Sequence, residues 1–466
     1  MTLKGLPVVI IGAGPVGLAA AAHLLDRGME PLLLEAGAQV GANIAQWRHV
    51  RLFSPWCMAL DTVGVRMLHQ VGWLGPDPDA LPTGGDLLDR YLHPLAALPE
   101  LSSRIRLNTV VTAVARRHVD KVRSPGREQV PFLVRTRDAS GQLADLQAQA
   151  VIDASGTWTQ PNPLGASGLP ALGEPAAASR IFYGLPDILG RDRDRYARRQ
   201  VMVVGAGHSA ATSLLALAEL QHREPGTQIT WAVRSTTPRP LIGKGSAQAD
   251  ELPTRGRLAT DLAALVDAGR IDLVAGFRIT IVELTSERVR LVGDRLDGDD
   301  PSEARTMRLE VDQVIAATGF RPDHSIAAEL RLTLEPALES AAALGPLIDP
   351  NVHTCGSVPT HGIAELAHPE PGYVVVGMKS YGRAPTFLLA TGYHQVRSVV
   401  AALAGDPDVA TEVHEGAPVA GTCAINRAWL ANPRRGRQLA TSISASRIDA
   451  ALIGTAADWS GATCCP

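Results

Sequence analysis

Gly12, Gly14 and Gly17 stand in the spacing G-x-G-x-x-G, with Pro15 directly after the second glycine and Glu35 eighteen residues beyond the last. Residues of these types at these intervals are suited to holding a dinucleotide. Gly12 permits a tight turn, Gly14 lets backbone approach a pyrophosphate, and Gly17 lets a helix pack closely on the preceding strand. A helix opening at this point offers free N–H groups and the positive end of its dipole to phosphate. Glu35 is placed to accept ribose hydroxyls. The elements that must position these groups are legible around them. The apolar run Val8–Ile11 reads as a strand, the small residues after Gly14 as a helix, and the second apolar run ending at Glu35 as another strand.

The stretch from Gln200 to Arg234 repeats the device. Gly205, Gly207 and Ala210 occupy the three small-residue positions, with His208 and Ser209 opening the helix. Alanine at the third position still allows close helix–strand packing. The second strand ends differently, in Val233-Arg234 instead of a carboxylate. A guanidinium there pairs with a 2′-phosphate, where a carboxylate favours a 2′-hydroxyl. The expectation is FAD at the first motif and NADPH, in preference to NADH, at the second.

Two further echoes, AVIDASGTW at 150–158 and QVIAATGFRPD at 313–323, are apolar strands that each end in a Ser/Thr-Gly step. They flank the second nucleotide module and read as the crossings between domains, which brings Gly156, Thr318 and Gly319 to the cofactors. The expected fold is α/β, with two Rossmann-like dinucleotide-binding domains and the NADPH domain inserted into the FAD domain. The boundaries are an FAD-binding first part at 1–160, the NADPH domain at 161–318, the FAD-binding second part at 319–410 and a C-terminal extension at 411–466. Pro385 is expected in the first turn of an amphipathic helix that ends at Gly405. That helix would direct Ala384, Pro385, Thr386 and Phe387 at the flavin pyrimidine, where its N–H groups and dipole oppose charge gained on reduction. Lys379 and Arg383 are candidates to assist.

Composition narrows the class. The 466 residues are 45% hydrophobic and 20% charged, with a net charge of −3, and no basic excess marks a nucleic-acid partner. The apolar N-terminal run before Asp26 has the length of a membrane span, but its glycines and proline are better explained by the nucleotide motif. Five cysteines are too few and too odd in number for a disulfide framework, so a reduced, cytoplasmic setting is expected.

With both glycine motifs, the VVGAGHSA second motif, the paired ASG and ATG crossings and the ATGF sequence in view, the chain resembles flavin-containing monooxygenases and their N-hydroxylating and Baeyer–Villiger relatives. It is less strongly similar to the glutathione-reductase superfamily at large, and it also resembles the flavin-binding monooxygenases of arsenic-resistance operons. The likeness covers about residues 7–405. It implies a glutathione-reductase-like arrangement of the two domains, FAD, NADPH and O2, and oxygen transfer from a C4a-(hydro)peroxyflavin to a small nucleophilic N, S or As/Se substrate. Departures are plain. Phe182 and Gly184 keep the start of the F-x-G-x-x-x-H signature, but Ile188 replaces its histidine, and Ser54 lies nearest to where the family places an asparagine over the flavin. Trp47, Arg48, Arg51 and Ser54 follow the first nucleotide unit closely enough to serve as catalytic residues at the flavin face, with Trp47 also a cofactor contact; arginines there could bind phosphate or stabilise an anion.

The rival reading is an NADPH-dependent flavoprotein reductase acting on a thiol-bound metal or metalloid or another electron acceptor. Such enzymes use a cysteine pair beside the flavin, and no C-x4-C or C-x-x-C occurs here; Cys57 is read as a lone, buried structural sulfur. A third reading is a flavin- or NADPH-binding sensor without catalysis. The last three residues are Cys464-Cys465-Pro466. Their Cα atoms lie about 3.8 Å apart, short of the usual disulfide range of about 4.4–6.8 Å, so the pair suits a soft metal ion better than an internal bridge. This tail also resembles the cysteine pair that closes mercuric reductases. His353, Cys355, His361, Glu365 and His368 cluster in sequence, but Pro359 and Gly362 break the helix that metal ligation would need, so no metal is assigned there. A homodimer is an open option.

Overall fold

The computed structural model describes residues 3, 5–236, 253–296, 298, 302, 304–352, 358, 361–385 and 387–411. Cys464, Cys465, Cys355, His353 and Thr386 lie outside the described residues. The chain forms two compact units, residues 1–156 with the chain from Pro322 onward, and Thr157–Arg321.

The first unit opens with β1 (Val8–Ile11), α1 (Pro15–Asp26), β2 (Pro31–Leu34), α2 (Trp56–Ala59) and β3 (Ile105–Arg106), passes through an antiparallel meander of β4 (Val110–Arg116), β5 (Phe132–Arg137) and β6 (Leu143–Ala148), and reaches β7 (Ala150–Asp153). The second unit holds β8 (Ile181–Tyr183), β9 (Gln200–Val204), α3 (His208–Arg223), β10 (Gln228–Ala232) and β11 (Asp272–Val274). A second meander of β12 (Phe277–Leu284), β13 (Val289–Arg295) and β14 (Arg305–Val311) then leads to β15 (Gln313–Ala316). The chain returns to the first unit as β16 (Tyr373–Val375) and α4 (Leu389–Leu403).

The first sheet runs β16-β7-β1-β2-β3 and the second β11-β10-β9-β15-β8, all pairs parallel. Parallel strands covered on both faces must be apolar throughout, which is why VVII and VMVV carry no polar alternation. Successive side chains point to opposite faces. Val8 and Ile10 pack with α1 residues such as Leu18, while Val9 and Ile11 pack with Val114 and Phe132 of the meander. The second unit repeats the plan. Val201 and Val203 pack with Leu214 and Leu217 of α3, and Met202 and Val204 pack with Val289 and Leu291 of the other meander. In the first sheet the order reverses between β1 and β7, and such a switch point opens a crevice beyond the carboxyl ends of the strands.

Candidate functional site

At the end of β1, Gly12 has φ +96°, and a Cβ there would lie 2.9 Å from the Ala154 carbonyl oxygen. At Gly17 a Cβ would come within 2.0 Å of the Gly12 carbonyl oxygen. These two glycines are required by contacts inside the protein. Gly14 is different. It precedes α1 as an extended residue with no side-chain cap, Pro15 takes the first helical position, and a Cβ at Gly14 would meet nothing within 4 Å. Open space in front of uncapped helix N–H groups is the shape a phosphate needs.

Glu35 closes this loop. Its Oε2 accepts the Ala13 N–H and its Oε1 accepts the Gly37 N–H, both at 2.8 Å. Each oxygen keeps a lone pair for a further donor, so the carboxylate can order the glycine loop and still take ribose hydroxyls. The Gly41 N–H donates to the Ala13 carbonyl at 3.0 Å, which ties the short helix Ala42–Gln46, entered at Gly41, to the same loop.

The second motif has matching geometry. Gly205 has φ +137°, and its Cβ would lie 2.2 Å from the Ala317 carbonyl oxygen. Gly207 precedes α3 in extended conformation, without a side-chain cap and with nothing near a Cβ. His208 and Ser209 open the helix, and Ala210 is fully buried under it. The Trp231 indole N–H donates to the Gly205 carbonyl at 2.7 Å and holds the turn. Arg234 is exposed just past β10, steadied by a 3.0 Å bond to the Ala166 carbonyl.

The crossings behave unequally. Gly156 has φ +72° with open space about it. In the second unit, the Asn162 side-chain amide donates to the Thr318 carbonyl and its Oδ1 accepts from Arg321, while its backbone N–H donates to the Gly319 carbonyl and its backbone carbonyl accepts the Thr318 hydroxyl, so Thr318 and Gly319 are clasped by a residue that sequence reading missed. Trp158 stacks on Phe320 at 4.6 Å in the same unit.

The proposed catalytic segment is held against residues 81–89. Gly84 lies against the Trp47 ring, where a Cβ would approach to 2.8 Å. Arg48 pairs with Asp89 at 2.8 Å, and Arg51 donates to the Leu81 carbonyl at 3.0 Å. Both arginines are exposed, while Ser54 is buried.

Three expectations change. The late helix begins at Leu389, and its N-cap is Leu388, extended at ψ 145°. Ala384, Pro385 and Phe387 therefore precede the helix: Ala384 closes a turn on Tyr381, and Phe387 packs edge-on to the Tyr381 ring at 5.3 Å. The break is at Leu388 itself: its extended backbone, φ −113° and ψ 145°, cannot belong to a helix, so the helix can begin only after it. Lys379 is only 2% exposed and pairs with Asp153 at 2.7 Å, so it is bound within the protein. Cys57, read as a lone sulfur, is disulfide-bonded. The other four cysteines of the sequence lie outside the described residues.

His361 meets the Gln395 side-chain amide at 2.9 Å, and Glu365 accepts the Gly362 N–H at 2.7 Å, so both have local structural partners. Among the described residues no group of three or more His, Cys, Asp or Glu is arranged to hold a metal. No helix among them is long and apolar enough to cross a membrane.

Comparison with known proteins places this geometry. Curated matches include the 15-cis-phytoene desaturases, that of Narcissus pseudonarcissus being 49% identical over 45 residues, 10% of this chain; the match spans only 8% of that protein's length. Bacillithiol disulfide reductase Bdr from Bacillus cereus superposes with a TM-score of 0.60 at 19% identity, covering 86% of this chain and 99% of that one. The ornithine N-hydroxylase KtzI of Kutzneria sp. 744, solved with FADred, NADP+ and L-orn, gives 0.56 at 17% identity, covering 85% and 99%. These likenesses concern the fold. Residues 9–342, most of the chain, match the family model described as pyridine nucleotide-disulphide oxidoreductase, and the chain belongs to that family.

Proposed function

We propose that the protein is an FAD- and NADPH-dependent monooxygenase acting on a small nucleophilic nitrogen, sulfur or arsenic/selenium centre. The observation that carries the cofactor assignment is the duplicated cradle: an uncapped helix N-terminus faced by an open glycine, once followed by a carboxylate and once by a guanidinium. Gly12, Gly14 and Gly17 with Glu35 would hold FAD, and Gly205, Gly207, Ala210 and Arg234 would hold NADPH. Bound FAD supplies hydride acceptance and oxygen chemistry that no side chain provides. The protein's share is to bind, orient and shield. Glu35 fixes the loop that faces the first dinucleotide, and Arg234 selects the phosphorylated nicotinamide cofactor. Trp47, Arg48 and Arg51, which follow the glycine loop, would supply an aromatic face and positive charge suited to an anionic group. KtzI, an N-hydroxylase solved with FADred and NADP+, supports oxygen transfer to a nucleophile.

A second reading is favoured by the Cys57 disulfide. Here the acceptor of electrons is a disulfide or a thiol-bound metal, in keeping with the likeness to Bdr. One set of assays separates the two. NADPH oxidation, oxygen uptake, peroxide release and product are measured with amines, thiols and arsenicals, in wild type and Cys57→Ser. Substrate-stimulated oxygen uptake matched by oxygenated product, unchanged in Cys57→Ser, is the expected result. NADPH oxidation that needs a disulfide acceptor and disappears in Cys57→Ser would overturn it in favour of the reductase.

A further inference from the structure

The two crossings are nearly the same hexapeptide, Val151-Ile152-Asp153-Ala154-Ser155-Gly156 and Val314-Ile315-Ala316-Ala317-Thr318-Gly319. Their main chemical difference is an ionisable Asp153 where the second has Ala316. Asp153 is fully buried at the end of β7, in register with Ile11 of β1 and Val375 of β16. Its Oδ2 takes the Lys379 ammonium at 2.7 Å and the Tyr373 hydroxyl at 2.9 Å. Its Oδ1 takes the Ser155 hydroxyl at 2.6 Å and the Ser155 N–H at 3.1 Å. Lys379 also donates to the Ser155 Oγ at 3.2 Å. Burial opposes the Asp153 charge, but the Lys379 charge and the bonds from Lys379 and Ser155 outweigh it and hold the carboxyl below its usual range.

Such a pair is a poor source of net stability. Withdrawing each charge from water costs several kcal/mol, and apolar replacements of similar volume are often neutral or better. What the pair does provide is position. Ser155 Oγ is gripped from both sides, and the main chain of this turn abuts the glycine loop: a Cβ on Gly12 would lie 2.9 Å from the Ala154 carbonyl and 3.1 Å from the Ser155 Cα. Two residues before Lys379, Gly377 has φ +73° and lies against Val16 in the first turn of α1, where a Cβ would sit 3.3 Å from a Val16 methyl. The Gly377 N–H is held by Gln395 Oε1 at 2.7 Å. Lys379 thus joins three pieces that meet at the switch point of the first sheet: the turn after β7, the glycine loop and the start of α1.

We propose that Lys379 is a positioning residue for the first dinucleotide, setting through Asp153 and Ser155 how the Ala154–Gly156 turn seats against Gly12 and so how tightly FAD is received. This rests on the assignment of FAD to the first cradle. Ala316 leaves the second crossing without such a charge, so NADPH binding serves as the internal control.

The test is FAD titration of full-length protein stripped of flavin, read by flavin fluorescence, with the melting temperature of the same samples and NADPH affinity measured alongside. Lys379→Met is expected to weaken FAD binding at least tenfold with NADPH affinity unchanged. Should Lys379→Met fail to fold because Asp153 is left charged and buried, the double variant D153N/K379M removes both charges, and Ser155→Ala removes only the gripped hydroxyl; both are expected to weaken FAD binding in the same direction. Wild-type FAD affinity in the folded variants overturns the role of Lys379 while the cradle assignment stands. A wild-type protein that takes up no FAD overturns both.

Discussion

Glu35 accepts the backbone N–H of Ala13 at 2.8 Å, so the acid after the second strand holds the middle of the glycine loop as well as facing it. Hydrogen bonds to charged groups contribute about 1.5–3 kcal/mol each. Glu35→Ala is therefore expected to weaken FAD binding by about 10–100-fold, by loss of the ribose contact and loosening of the loop. Glu35→Gln, which can still accept one of the two N–H groups, should lose less. Equilibrium titration of flavin-free protein measures both.

The two kinds of glycine in the first motif should fail in different ways. In Gly17→Ala the new methyl meets the Gly12 carbonyl at 2.0 Å, which requires the strand–helix turn to move, so soluble expression and melting temperature should fall. In Gly14→Ala the methyl enters open space, so the fold should survive while FAD affinity drops sharply. Circular dichroism and flavin content separate the outcomes. A Gly14→Ala protein retaining full flavin content would contradict a phosphate at that position.

Arg234 projects from the end of β10 with one bond to the Ala166 carbonyl. Arg234→Ala is expected to raise KM for NADPH about tenfold or more and leave KM for NADH nearly unchanged, since charge-assisted pairing with a 2′-phosphate is what it contributes. Equal effects on both cofactors would remove Arg234 from the specificity assignment.

Glu370 is buried between Arg116 and Arg127, at 2.7 Å from each, and also accepts the Arg331 N–H at 3.2 Å. The Arg116 guanidinium lies over the Phe132 ring at 3.7 Å. This triad fastens the β4–β5 meander to the segment entering β16. Removing one partner leaves buried charge uncompensated, which costs about 3–5 kcal/mol. Glu370→Ala should therefore shift the urea midpoint strongly, and a loss below about 1 kcal/mol would show that the triad relaxes towards water.

Stability should decline on acidification in two stages. Burial pushes His69, His324 and His368 below the ordinary imidazole value of 6.5. The unfolded chain then binds more protons than the native protein below about pH 6.5, so stability falls with pH from that point to the lowered native values. Asp153 and Glu370 have carboxyls held below the usual range, so their stabilisation is present above the unfolded carboxylate values and is lost only as pH falls through the native ones. Melting temperatures from pH 8 to pH 2 should show a plateau, a descent beginning near 6.5 and a further descent below the ordinary carboxylate range. The variant H324N/H368N should flatten the first stage and leave the second; an unchanged first stage would assign the decline to other groups.

Both nucleotide modules were legible from the sequence because everything that specifies them is local. A glycine turn, an apolar strand and a helix of small residues are set by backbone torsions and side-chain spacing within about thirty residues, and Glu35 and Arg234 fall at the strand ends that spacing predicts. The start of the late helix was not legible because Pro385 fits a first helical turn by its own torsion, whereas the extended backbone of Leu388, which delays the helix to Leu389, has no local signature in the sequence. The disulfide state of Cys57 and the clasp of Asn162 on Thr318 carried no local signal. Lys379 and Asp153 are separated by 226 residues and meet because β16 returns to the edge of β7. The difference between Asp153 and Ala316 was visible in the two crossings, but its meaning was not, since sequence carries a residue's charge while only the closed sheet decides which opposite charge is buried against it.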